Sequence, residues 1–72
     1  GKGEIKMTEH QYYELISLAK AQLKVTELES HWQLYVEGIT DMAYALKDYD
    51  THNRLDTRLW LMWNERRLEG ME

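Results

Sequence analysis

Apolar residues at positions 28, 32, 35, 36, 39, 42, 43, 46 and 49 recur at i, i+3, i+4 and i+7, the spacing that lays side chains along one stripe of an α-helix. A strand would need strict alternation, and this stretch has none. Leu28 to Tyr49 therefore predicts an amphipathic helix, and the remainder of the chain has to supply something that covers its apolar side.

The means of covering it are limited. Seventy-two residues are too few for two independent cores, and a domain of this size buries only about 60% of its unfolded surface. Such a core yields about 3–5 kcal/mol unaided, so small domains are commonly fastened by disulfides, a metal or a partner chain. Cysteine is absent, which excludes disulfides and thiolate ligands. No apolar run reaches the ~18 residues of a membrane span, and no basic-then-apolar signal region opens the chain. The expectation is a cytoplasmic protein with no membrane partner. Residues 1–7 read as a flexible lead-in, native or partly vector-derived, ahead of a single helical domain over 8–72.

In chain order, Thr8-Glu9-His10-Gln11 carries the pattern of a capping box, with Thr8 as the cap and Gln11 reaching back. The helix it starts has Tyr12, Leu15, Ile16, Ala19 and Leu23 on one stripe, with Leu18, Ala21 and Val25 widening the apolar surface. A 3-4 alternation from Leu18 through Val25, Leu28 and Trp32 to Tyr49 would suit one continuous helix. Yet at about 100° per residue the stripe around Ile16 lies nearly opposite the one around Ile39, and two further capping-box patterns start at Thr26 and Ser30. A break or kink near 24–30 is the favoured reading. Asp48 to Asn53 clusters residues that bond their own backbone, predicting a loop, with Thr51 or Asn53 as the cap of a third helix. Gly38 inside the second helix suggests close approach of a neighbour. In the third helix Leu55, Leu59, Met62 and Trp63 share a face. The run Leu59–Trp63 has some strand character, but nothing else in the chain could pair with it. Gly70 marks the helix end, with Met71 and Glu72 as a frayed tail. The expected fold is all-α, a small three-helix domain with helices near 8–24, 28–49 and 53–69, and a helix-mediated homodimer.

Residues that carry chemistry are sparse. Glu27/His31 and Asp48/His52 have i, i+4 spacing, but two weak pairs do not make a metal site, and no His-Glu-x-x-His or repeated Glu-x-x-His occurs. Ser17 and Ser30 lack a nucleophile elbow, and no Gly-rich loop is present to hold phosphate. These absences lead to the expectation of a non-enzymatic protein without metal or cofactor.

Charge is unevenly spread. Residues 1–25 carry four lysines against three glutamates, residues 26–50 six acids against Lys47, and residues 51–72 four arginines against four acids. The arginines, with Arg66 near Trp63 and Arg67 near Trp60, offer stacking and phosphate contacts. Arg54, Arg58, Arg66, Arg67, Trp60 and Trp63 are accordingly the contacts of an alternative nucleic-acid-binding reading, against which stands a sequence pI near 5.3. A row of Glu37, Asp41, Tyr44 and Asp48 opposite the apolar stripe gives a further alternative, an acidic inhibitor that mimics nucleic-acid charge.

The strongest signal is surplus apolar surface. Three tryptophans and five tyrosines exceed what so small a core can hide, and Trp60, Leu61 and Leu68 fall off the predicted core face. The expected function is a small regulator or adaptor acting by protein–protein contact. Trp60, Leu61 and Leu68 are its docking residues for self-association or a protein target, with Arg58 and Arg67 at the rim.

Overall fold

A computed structural model describes residues 6–70, which form three α-helices, α1 (Glu9–Val25), α2 (Glu29–Ala45) and α3 (Tyr49–Gly70), and no strand. The Thr8 capping box is formed as expected: the Gln11 amide donates to Thr8 Oγ1 at 3.1 Å, and the Thr8 amide donates to Gln11 Oε1 at 2.9 Å. These bonds satisfy two donors that a helix start would leave unpaired.

The break between the first two helices falls at 26–28, but neither capping box expected there exists. Thr26 faces backwards. Its hydroxyl donates to Gln22 O at 2.8 Å and its amide to Leu23 O at 3.3 Å, so it closes α1 rather than opening α2. Leu28 takes the cap position of α2 without a side-chain bond, and Ser30 lies within the helix. Competition for one hydroxyl explains the reversal, because Thr26 is buried against α1 and satisfied there.

The expected 48–53 loop is the larger correction. α2 ends at Ala45 and α3 already begins at Tyr49, so the connection is 46–48. The Lys47 amide donates to Tyr44 O at 2.9 Å and the Asp48 amide to Ala43 O at 3.0 Å, with Lys47 in the left-handed region at φ 61°. That pair of bonds is a Schellman motif, with Lys47 where glycine usually stands. Asp48 then caps α3, accepting from the Thr51 amide at 3.2 Å and the Thr51 hydroxyl at 2.7 Å. Neither Thr51 nor Asn53 is the cap, since Asp48 serves both helices and leaves no residue over for a longer loop. The polar run from Asp50 to Asn53 forms helical turns instead.

The helices run up, down and up, as contacts between them at both ends show. Arg54 of α3 meets Glu9 at the start of α1 while Arg66 meets Leu23 near its end, so α1 and α3 are parallel. His52 meets Thr40 O while Trp32 meets Leu59 O, so α2 and α3 are antiparallel. α3 packs most extensively on α2 and less on α1, whereas α1 and α2 touch only marginally. The core joins Tyr12, Ile16 and Ala19 of α1, Trp32, Val36, Ile39 and Ala43 of α2, and Leu55, Leu59, Met62 and Trp63 of α3. These are the expected stripes. Leu28, Met42, Leu46 and Tyr49, also expected on the second helix's stripe, remain exposed. Gly38 sits on open surface with nothing within 4 Å of where a Cβ would stand, so no neighbouring helix approaches it. Met71 and Glu72, the expected frayed tail, lie outside the described residues, as do residues 1–5.

Candidate docking face

Helical geometry divides the exposed side chains of α3 into two lines. Leu61 and Leu68 are seven residues apart and therefore nearly superposed along the axis, with Arg58 one turn before Leu61. Trp60 and Arg67 form a second line about 100° away. Leu61 is 47% exposed and Leu68 59%, in a helix whose other leucines, Leu55 and Leu59, are fully buried. Trp60 is only half-buried and leans against the core, so it offers less free surface than its sequence position suggested.

Arg58 and Leu61 share a shallow hollow with Tyr12, Asn53, Arg54 and Thr57. Arg58 also lines the adjoining hollow, with Leu23 and Met62 as its apolar floor and Lys20, Lys24, Glu65, Arg66 and Glu69 around it. Together they make one groove between α1 and α3. Arg67 lies apart, beside Glu27, Trp63, Arg66 and Gly70.

Two of the four arginines have local partners. Arg54 Nη1 approaches Glu9 Oε1 to 2.6 Å, its second nitrogen meets Glu9 Oε2 at 3.3 Å, and its guanidinium carbon lies 3.9 Å from the centre of the Tyr12 ring. The Arg54 hydrogen bonds hold the Glu9 carboxyl below its ordinary range. Arg66 Nη1 donates to Leu23 O at 2.7 Å and to Thr26 O, tying the last carbonyls of α1 to α3. Trp63 is buried beneath Arg66, stacked on Trp32 with ring centres 6.0 Å apart. The six residues of the nucleic-acid reading therefore do not form one exposed stacking surface: Arg54 and Arg66 are engaged, Trp63 is inside, and Arg58 and Arg67 lie on different lines of α3. Trp32 Nε1 donates to Leu59 O at 3.1 Å, whereas Trp63 Nε1 is buried with no acceptor among the described residues.

The acidic row is also shorter than its spacing implied. Asp48 is buried as the cap of α3 and accepts from the Met7 amide at 3.0 Å, leaving Glu37, Asp41 and Tyr44 at the surface. Of the chelating pairs, Glu27 lies in the 26–28 turn rather than one helical turn before His31. Asp48 is occupied by Thr51 and Met7, and the His52 ring nitrogen Nδ1 contacts Thr40 O at 3.0 Å. Among the described residues no group of three or more His, Asp or Glu is placed to hold a metal ion, and no helix is long and apolar enough to cross a membrane.

No family model, curated protein or solved structure matches the chain. What the sequence reading missed is the α1 side of the groove. Lys20 and Lys24 lie outside the apolar stripe of the first helix, and only the parallel packing of α1 on α3 places them opposite Arg58. The signal that could have found them is their i, i+4 spacing, which puts both lysines on one side of the first helix.

Proposed function

We propose that the protein is a small non-enzymatic regulator or adaptor that acts by protein–protein contact, docking through Arg58, Leu61 and Leu68 of α3. The observation that carries this reading is the persistent exposure of Leu61 and Leu68 on a helix whose remaining leucines are buried. Large apolar groups in line, bordered by a guanidinium, are the composition of an interface centre and rim. A second copy is one partner this face suits, and a foreign target, which the protein would serve as inhibitor or adaptor, is the other. Exposed Leu18, Val25, Leu28, Leu34 and Met42 on α1, α2 and their connection provide further apolar surface for self-association.

The test is the paired change Leu61→Asp and Leu68→Asp, both at exposed positions where a charge is tolerated by the fold. Mass in solution is followed across a dilution series, alongside recovery of co-purifying proteins. The expected result is loss of self-association, of the co-purifying partner, or of both, with helical content unchanged. Unchanged association and an unchanged partner set would refute the proposal.

A further inference from the structure

The α1–α3 groove carries a charge pattern that specifies its occupant, an inference that rests on the docking reading above. Lys20, Lys24, Arg58 and Arg66 stand around Leu23 and Met62, against two carboxylates, Glu65 and Glu69. With the Arg54–Glu9 pair set aside as neutral, the groove is locally +2 on a chain of formal charge −4, so the rest of the chain carries −6. Segregation of this kind is what orients an approaching partner. Among the described residues Lys20, Lys24 and Arg58 take part in no ion pair, in contrast to Arg54, which Glu9 neutralises. Their charge is available.

We infer that the groove receives an amphipathic helix of another protein, apolar on the side that meets Leu23, Leu61 and Met62 and acidic along the edge that faces Lys20 and Lys24 of α1, with Arg58 across the groove on α3. Three features favour this occupant. The floor is aliphatic, and an apolar helix face fits between two parallel helices as it does in other helix-in-groove recognition. From Arg54 to Glu69 the groove runs about 22 Å along α3, the length of about four helical turns. Lys20 and Lys24 stand on the α1 side of the hollow and Glu65 and Glu69 on the α3 side, so reversing the occupant would move its acidic edge from the lysines to the carboxylates, which favours one polarity. A nucleic-acid strand suits the groove less well, because no aromatic face is open there for base stacking and the surrounding −6 repels a polyanion.

The probes are three: a synthetic helical peptide of about 16 residues with leucines at i, i+3, i+4 and i+7 and flanking glutamates, the same peptide with lysines in place of the glutamates, and a single-stranded oligothymidine. Binding is read by fluorescence anisotropy and mapped by amide chemical shifts on the intact chain. The glutamate peptide is expected to shift amides at Lys20, Leu23, Arg58, Leu61 and Met62. Its binding should weaken at least tenfold in the double variant Lys20→Glu, Arg58→Glu, the first position exposed and the second half-buried, and strengthen in Glu65→Lys, Glu69→Lys. Stronger binding of the oligothymidine at this face overturns the inference. Equal binding of the lysine peptide overturns the charge assignment but leaves the docking reading intact, provided Leu61→Asp still abolishes it. If no probe moves the groove amides and the Leu61→Asp, Leu68→Asp chain associates as before, both fail.

Discussion

Trp32 and Trp63 stack on one another in the same core, yet among the described residues only Trp32 has its indole nitrogen partnered. That difference is measurable. Trp→Phe at either position removes similar volume, but at Trp32 it also removes a buried hydrogen bond, whereas at Trp63 it removes a donor that already lacks a partner. Trp32→Phe is therefore expected to lower the free energy of unfolding by about 1 kcal/mol more than Trp63→Phe, as measured in urea. Asp48 makes a prediction of another kind. Hydrogen bonds from the Thr51 hydroxyl, with those from the Met7 and Thr51 amides and the charge of Lys6, outweigh burial and hold its carboxyl below the usual range. A depressed folded-state value means that the ionised form is bound more favourably in the folded chain. This stabilisation is present above about pH 4 and drains away as pH falls through the folded value. Asp48→Ala should cost about 1–2 kcal/mol at pH 7, the range for loss of a helix cap. The gap from the unmodified chain should narrow towards pH 3. A gap independent of pH would exclude the charged form as the source.

At the scale of elements, two positions hold residues that the local backbone does not favour. Gly38 is in mid-α2 with open space around it, so Gly38→Ala should stabilise the protein by about 1 kcal/mol and raise the melting temperature by about 4–8 °C. Lys47 occupies the left-handed position of the Schellman motif, and Lys47→Gly should also stabilise, by about 1 kcal/mol, in a denaturant titration. The sequence showed the elements well where a repeated pattern carried the information. The stripes through Tyr12, Ile16 and Ala19, through Trp32, Val36, Ile39 and Ala43, and through Leu55, Leu59, Met62 and Trp63 are the observed core. It failed where one residue had two local uses. Thr26 has the same spacing to Glu29 whether it closes α1 or opens α2, and Asp48 reads as a loop former until its double role is seen. The groove was legible only on its α3 side, since bringing Lys20 and Lys24 to the same hollow as Arg58 depends on packing between residues more than thirty apart in sequence that no local pattern encodes.

For the whole molecule, the packing is unequal. α3 serves both other helices, and α1 is held to it by the Glu9–Arg54 pair at one end, Arg66 at the other and three buried side chains between. Amide hydrogen exchange should therefore show α1 losing protection before α2 and α3, which exchange together. Uniform protection across the three helices would contradict this. The two connections also differ: at Asp48 the chain turns on a residue bonded into both flanking helices, whereas Thr26 bonds back into α1 and accepts from Arg66 of α3 but, among the described residues, makes no hydrogen bond into α2. The molecule is accordingly a clasped hairpin carrying a hinged leaf. Because the leaf forms one wall of the groove and is tied to α3 by Glu9–Arg54 at one end and Arg66 at the other, anything that widened the groove would first have to part those bonds, while the hairpin stayed clasped.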